Sequence, residues 1–386
     1  MKKIFITMLL FLLLIPTTLV KAESDLSLAP NAKSVILLEA STGEIIYQRN
    51  ANEKLHPASM TKMMSMLLIM EAIEKGSLKW NDIVTVSENA SGMGGSQILL
   101  ETGEKMTVDD LFKGIAIASG NDAVVALAEK VAGTEEVFVK MMNDKAKELG
   151  LKNTNFKNPH GLDTANHYSS ARDMSLIAKE LVKHEKIFEF TSVYEDYLRE
   201  GTDKKIWLVN TNKLVRFYDG VDGLKTGFTE GAGYCLTATA KKDGMRVIAV
   251  AMGEATSKDR NKEVSEMLDY AFAQYKIEKL VDDKFSLGKY KVYNGKDEYV
   301  NVIPKEEVSI LRKKGEKNIK ATYDKKVDLI NAPIKKGDDV GILKVKKDGK
   351  VLKEVKLTVF KDVKKANYLE LLGRNMKDMI TGNISL

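Results

Sequence analysis

A single cysteine, Cys235, in 386 residues leaves no partner for a disulfide within the chain. Stability must come from an apolar core, and a chain of this length can bury enough surface to build one. Cys235 sits in the apolar run Tyr234-Cys235-Leu236 and reads as an inert buried thiol. Four scattered histidines beside one cysteine supply no ligand set for zinc, and no motif calls for a cofactor. The net charge is only +6, with no dense basic block and no aromatic–basic stripe, which argues against nucleic acid as a partner. The mild positive bias suits life beside anionic lipid or wall polymer. Hydrophobic residues at 44% and charged residues at 30% fit a soluble globular protein of two or three units.

Long hydrophobic runs are also missing, except at the N-terminus. Lys2 and Lys3 precede an apolar run from Ile4 to Val20, and Val20-Lys21-Ala22 offers a cleavage point. That order of charged, apolar and small-residue regions is a secretory signal, expected over residues 1–22. The run approaches spanning length, so a retained anchor is the alternative. Pro16, the pair Thr17-Thr18 and the V-x-A ending favour removal and an exported protein.

Val35–Leu38, the turn Ser41-Thr42-Gly43 and Glu44–Tyr47 read as a β-hairpin. Pro57 opens a helix to about Lys75, stopped by Gly76, with Met60, Met63, Met64, Leu67 and Leu68 at helical spacing. Thr107 with Asp110 starts a helix from Val108 to Ala118, and a second covers Asp122 to Val131. Thr134 caps a third that ends at Gly150, and Ser170 with Asp173 caps a fourth that reaches His184. Gly233–Ala240, a turn at Lys242–Gly244 and Met245–Met252 form a hairpin of long strands, followed by a helix from about Ser257 to Tyr275. The sum is an α/β body of two or three layers, a sheet with helices packed on it. From about residue 276 short alternating runs, broken by Asn294-Gly295 and Asp348-Gly349, indicate a small all-β domain. A last helical stretch puts Tyr368, Leu369, Leu372, Met376, Met379 and Ile380 on one face, with Lys364, Lys365, Glu370, Arg374 and Lys377 elsewhere. It can dock on the protein or lie in a membrane interface, and the pattern alone leaves both open.

Three short motifs carry chemistry. Ser59-Met60-Thr61-Lys62 opens the first helix, where positions i and i+3 sit side by side and Lys62 can take the proton of the Ser59 hydroxyl. That role needs a partly neutral lysine, which requires burial or a neighbouring cation. The first helical turn also favours a developing negative charge. Ser119-Gly120-Asn121 breaks an apolar stretch between two helices. It is either a helix–helix turn capped by Asn121, or a site where Ser119 relays a proton and Asn121 binds a substrate amide. Lys225-Thr226-Gly227 leads into the strand hairpin. It is either a plain turn, or a strand edge that pairs with an extended peptide. In the second reading Gly227 permits close approach, and Lys225 and Thr226 hold a terminal carboxylate. Each motif alone is weak; the three in this order match a set known from penicillin-binding proteins and class A β-lactamases.

With the blocks Pro57-Ala58-Ser59-Met60-Thr61-Lys62, Ala118–Ala123, Asn158-Pro159-His160-Gly161-Leu162-Asp163 and Asp222–Thr229, the chain resembles the low-molecular-mass penicillin-binding proteins that are D-alanyl-D-alanine carboxypeptidases (class C, type five). The resemblance covers residue 25 to the end. It implies a serine β-lactamase/transpeptidase-like sheet with helices on both faces, a small all-β domain and a C-terminal amphipathic helix. The expected division is a signal peptide over 1–22, a catalytic domain over 23–275, a β domain over 276–363 and a surface-anchoring helix over 364–386. The implied reaction removes the terminal D-alanine from pentapeptide stems of peptidoglycan through an acyl-enzyme on Ser59, and β-lactams acylate the same serine. The implied oxyanion hole uses the backbone N–H groups of Ser59 and Phe228. Some relatives carry His where this chain has Phe228, which leaves a backbone contact intact. His160 tempts a Ser–His reading but fits better as a brace of the loop opposite the site. The expected location is the outer face of a bacterial cytoplasmic membrane or the cell wall.

Other readings separate on particular residues. A class A β-lactamase needs a glutamate in an E-x-x-L-N setting, and no such pentad lies between Asn121 and Lys225. A non-catalytic penicillin-binding wall protein would be expected to lose Ser59 or Lys62, and both are present. D,D-endopeptidase action uses the same acyl-enzyme, and the sequence does not distinguish it.

Overall fold

A computed structural model describes residues 26–282, 285–316, 321–347 and 349–381. The expected signal segment, Asp348 of the Asp348-Gly349 turn and the last five residues of the expected C-terminal helix lie outside these residues. The first hairpin forms as expected: β1 (Ser34–Glu39) and β2 (Ile45–Arg49) pair antiparallel, with Gly43 at φ 74° in the turn. The helix expected from Pro57 begins differently. Ala58–Thr61 is a 3₁₀ turn, in which Met60 N–H donates to Pro57 O at 3.1 Å, and α1 (Lys62–Glu74) continues from it. Met60, Met63, Met64, Leu67 and Leu68 are buried, but so are Met66, Ile69 and Met70. From Lys62 to Met70 α1 is thus enclosed on all sides rather than along one stripe.

Four helices of eleven residues or more follow: α2 (Val108–Ala118), α3 (Asn121–Ala132), α4 (Glu135–Glu148) and α5 (Ala171–Leu181). Thr107, Thr134 and Ser170 cap α2, α4 and α5 by accepting from the N–H groups of Asp110, Val137 and Asp173. α5 stops three residues short of His184, whose N–H turns back to Leu181 O at 3.1 Å. A hairpin of two four-residue strands, β3 (Glu195–Leu198) and β4 (Ile206–Val209), follows where no strand was expected. Runs that short show little alternation.

β5 (Val221–Thr229), β6 (Gly233–Lys242) and β7 (Met245–Glu254) then lead to α6 (Ser257–Gln274). The main sheet has the order β2-β1-β7-β6-β5, and every neighbouring pair is antiparallel. Strand alternation supplies two cores. Ile36, Leu38, Ile248 and Val250 face α1 to α5, while Val35, Leu37, Val247 and Ala249 face Val264, Met267 and Leu268 of α6. Helices therefore cover both faces, as expected, and β5, which carries Lys225-Thr226-Gly227, is an edge strand.

The all-β region contains β8 (Tyr275–Val281), β9 (Lys289–Tyr293), β10 (Tyr299–Pro304), β11 (Val308–Lys313), β12 (Ala321–Val327), β13 (Ile330–Asn331), β14 (Gly341–Lys347) and β15 (Lys350–Val359). Six of these strands form a sheet in the order β12-β14-β15-β10-β9-β13, and β8 pairs with β11. Val302, Leu343, Val345, Val355 and Leu357 give this region its own core. α7 (Tyr368–Thr381) ends the described chain with Tyr368, Leu369, Leu372, Met376, Met379 and Ile380 all exposed. Among the described residues no helix is long and apolar enough to cross a membrane.

Candidate active site

The three motifs converge. Ser59, Ser119, Thr226, Gly227 and Phe228 line one cleft of about 430 Å³, together with Ser96, Thr211, Lys213, Tyr234 and Arg260. Ser59 is carried on the 3₁₀ turn after Ala58, whose φ of 47° is left-handed and costly for a residue with a Cβ. A loop clamps this turn. Gly161 lies so close that a methyl group there would sit 1.9 Å from Ala58 O, and Asn158 Oδ1 accepts its N–H at 2.6 Å. His167 adds a second clamp. Its Nδ1 accepts from Lys157 N–H at 3.0 Å, so the proton sits on Nε2, which donates to Thr61 Oγ1 at 2.9 Å. Burial, and to a lesser degree His56, holds the His167 pKa down at about 4, so the ring stays neutral.

Lys62 is fully buried, and its Nζ donates to Ser59 Oγ at 2.9 Å, Asn121 Oδ1 at 2.6 Å and His160 O at 2.8 Å. These acceptors are all neutral. Burial, then the cation of Lys225, holds its pKa well below the usual 10.5, and Asp122 offsets only part of this. Lys225 is itself buried, and its pKa falls to about 7 through burial and then Arg260.

Ser119 ends α2 with a left-handed φ of 65°, and its Oγ is buried without a hydrogen-bond partner among the described residues. A hydroxyl free of protein partners in left-handed backbone at a cleft wall marks a candidate functional position. Asn121 Oδ1 accepts from Lys62, and its Nδ2 donates one N–H to Gly94 O at 2.6 Å. Thr226 Oγ1 donates to Thr211 Oγ1 at 2.8 Å. Gly227 also meets a packing need. A Cβ there would meet Pro57 O at 2.8 Å and Ala58 Cβ at 3.0 Å, so glycine lets β5 lie against the Ser59 turn. His160 braces the loop: its Nδ1 accepts Leu162 N–H at 3.2 Å, and burial, then Lys62, lowers its pKa to about 3.

Arg260 was not singled out from the sequence. It is 5% exposed, donates to the neutral Asn261 Oδ1 at 3.1 and 2.8 Å, and makes no ion pair with a described carboxylate. A signal was available, because Arg260 shares the buried face of α6 with Val264, Met267, Leu268 and Ala271. A charge on an apolar stripe marks a site more often than a solvated face does.

An antiparallel sheet between helical layers, with Ser59, Ser119 and Thr226 in one cleft along its edge strand, is the arrangement expected of a hydrolase of the penicillin-binding class. The family described as D-alanyl-D-alanine carboxypeptidase matches residues 20–256, and the C-terminal domain of penicillin-binding protein 5 matches residues 275–365. The chain is 54% identical to the D-alanyl-D-alanine carboxypeptidase DacF of Bacillus subtilis over 385 residues, covering 98% of this chain and 99% of that one. The solved penicillin-binding protein 5 of Haemophilus influenzae matches with a TM-score of 0.70 and 34% identity over 87% of this chain and 98% of that one. Penicillin-binding protein D2 of Listeria monocytogenes, in its ampicillin-bound form, matches at 0.57 and 31% over 64% of this chain and 99% of that one. The chain belongs to the D-alanyl-D-alanine carboxypeptidase family and is a hydrolase of cell-wall peptide ends.

Proposed function

We propose that this carboxypeptidase works through an acyl-enzyme on Ser59, with Lys62 as the base. The observation that carries the reading is the fully buried Lys62 amine, 2.9 Å from Ser59 Oγ and surrounded by neutral acceptors. A neutral Lys62 takes the Ser59 proton as Oγ attacks the penultimate D-alanine carbonyl. The backbone N–H groups of Ser59 and Phe228 receive the oxyanion. Ser119 passes the proton to the leaving nitrogen, and D-alanine departs; water then adds to the ester and frees Ser59. Lys225, Thr226 and Arg260 receive the terminal carboxylate. The unpaired, buried Arg260 guanidinium supports this, since an unmatched buried cation gains most from an arriving anion. Asn121 keeps its second amide N–H for the stem peptide.

β-Lactams acylate the same serine and leave slowly, because no E-x-x-L-N glutamate precedes Lys225 to activate water. The N-terminal segment exports the chain, and the exposed apolar face of α7, from Tyr368 to Ile380, rests on the outer surface of the cytoplasmic membrane. Mass spectrometry of the intact protein after penicillin G tests the core of this reading. One adduct is expected, on Ser59, and none in Ser59→Ala; an adduct elsewhere or rapid catalytic hydrolysis of penicillin overturns it.

A further inference from the structure

Phe228 is 53% exposed, although Lys225, Thr226 and Gly227 just before it are all buried. Its ring centroid lies 4.3 Å from that of Tyr234, its cross-strand partner on β6, with the planes tilted by 32°. At that separation two rings make a continuous apolar wall. Strand alternation fixes which way the wall faces. The missing Cβ of Gly227 points at Pro57 and Ala58, into the layer that carries Ser59. Thr226 and Phe228 therefore project from the other face of β5, the side on which α6 packs. Arg260 and Asn261 of α6 line the same cleft as the two rings.

We propose that the Phe228–Tyr234 wall is the subsite for the side chain of the released residue. It extends release to stem ends whose last D-residue carries an apolar side chain larger than methyl. The inference rests on the reading above, in which Arg260 and Thr226 hold the terminal carboxylate and Ser59 attacks the preceding carbonyl. The Cα of the last residue then lies between those anchors, in the cleft that the two rings also line. Because Phe228 is half open to solvent, the rings form a shelf rather than a closed box, and a longer apolar chain can run across them. The bond broken is unchanged: water is added across the last amide, giving a D-alanine carboxylate and a free D-amino acid.

The test uses the full chain and acetylated tripeptides ending in D-Ala-D-Ala, D-Ala-D-Leu and D-Ala-D-Asn, with the released amino acid quantified by chromatography. Leucine and asparagine have similar size, so their ratio reads apolar contact. The D-Leu end is expected to be about tenfold better in kcat/KM than the D-Asn end, the effect of shielding roughly 55 Å² of apolar surface. Phe228→Ala and Tyr234→Ala are each expected to reduce that ratio at least threefold. Labelling of every protein with fluorescent penicillin runs in parallel. If a variant does not label, Phe228→His replaces it, and its ratio must also fall. A labelled wild type that prefers D-Asn, releases no D-Leu, or keeps its ratio in the variants overturns the subsite alone. A wild type that does not label overturns the Ser59 reading instead.

Discussion

Lysine has opposite roles in the cleft and in the β region. Lys62 and Lys225 are buried at 0% and 1% exposure, face neutral acceptors, and have lowered pKa values. In the β region Lys344 meets Glu354 at 2.7 Å and Lys353 meets Glu306 at 3.2 Å, all four side chains open to water. The Glu354 carboxylate raises the Lys344 pKa, the reverse of the cleft. Burial without a counter-charge makes an amine into a base, whereas exposure beside a carboxylate keeps it a surface charge. The largest expected effect breaks the first half of that contrast. Lys62→Arg puts a group that cannot lose its proton beside Ser59, and kcat/KM for D-alanine release should fall about 1,000-fold or more. Retention of a tenth of the activity would remove Lys62 from the base role.

The clamp around Ser59 comes next. Gly161→Ala places a methyl group against Ala58 O at a φ of 91°, so backbone must move. A loss on the order of 3 kcal/mol is expected in thermal or denaturant unfolding. A neutral result would mean that the loop yields and does not fix the nucleophile's turn.

The pH profile sharpens the contrast between the two buried lysines. Lys62 must be neutral, so kcat/KM rises as pH passes its lowered pKa. The charge on Lys225 is the second cause of that lowering. Lys225→Met removes it, the Lys62 pKa rises, and the acid limb should move to higher pH. An unmoved limb would leave burial as the sole cause. A buried acid behaves in the mirror sense. Glu254 is held above its ordinary 4.5 by burial and then by Glu263, and both its oxygens lack a described hydrogen-bond partner. The folded state therefore holds a proton that the unfolded chain releases, so the contribution of Glu254 to stability falls as pH rises above 4.5 until the raised pKa is passed, against the opposite trend from the buried, neutral His160 and His167. That contribution should be at most about 1.4 kcal/mol per pH unit and is read as the difference in slope between the wild type and Glu254→Gln; identical slopes would mean that Glu254 holds no extra proton in the folded state.

Local chemistry was the legible part of this molecule. The caps at Thr107, Thr134 and Ser170 and the two hairpins each lie within a few residues and appear where expected. The missed features depend on distant segments. Arg260 is unremarkable among 60 basic residues until α6 packs on the sheet. The packing need for glycine at Gly227 comes from Pro57, and Asn121 is held by Lys62 and Gly94. The surroundings of α1 were invisible because a stretch buried on every side, Lys62 to Met70, has no polar face to show its orientation.

The smallest expected effect completes the comparison. Lys344 and Glu354 sit opposite each other on β14 and β15, the register in which opposite charges attract across a sheet. Both side chains are nearly half exposed, so water screens the attraction and ordering two long side chains cancels much of what remains. Lys344→Ala should therefore move Tm by no more than about 1 °C, and less still at high salt. The double change with Glu354→Ala should add no coupling beyond that shift. A drop of several degrees would show that the β region draws on its charge pairs as the cleft draws on its buried network, and the division drawn between the two kinds of lysine would not hold.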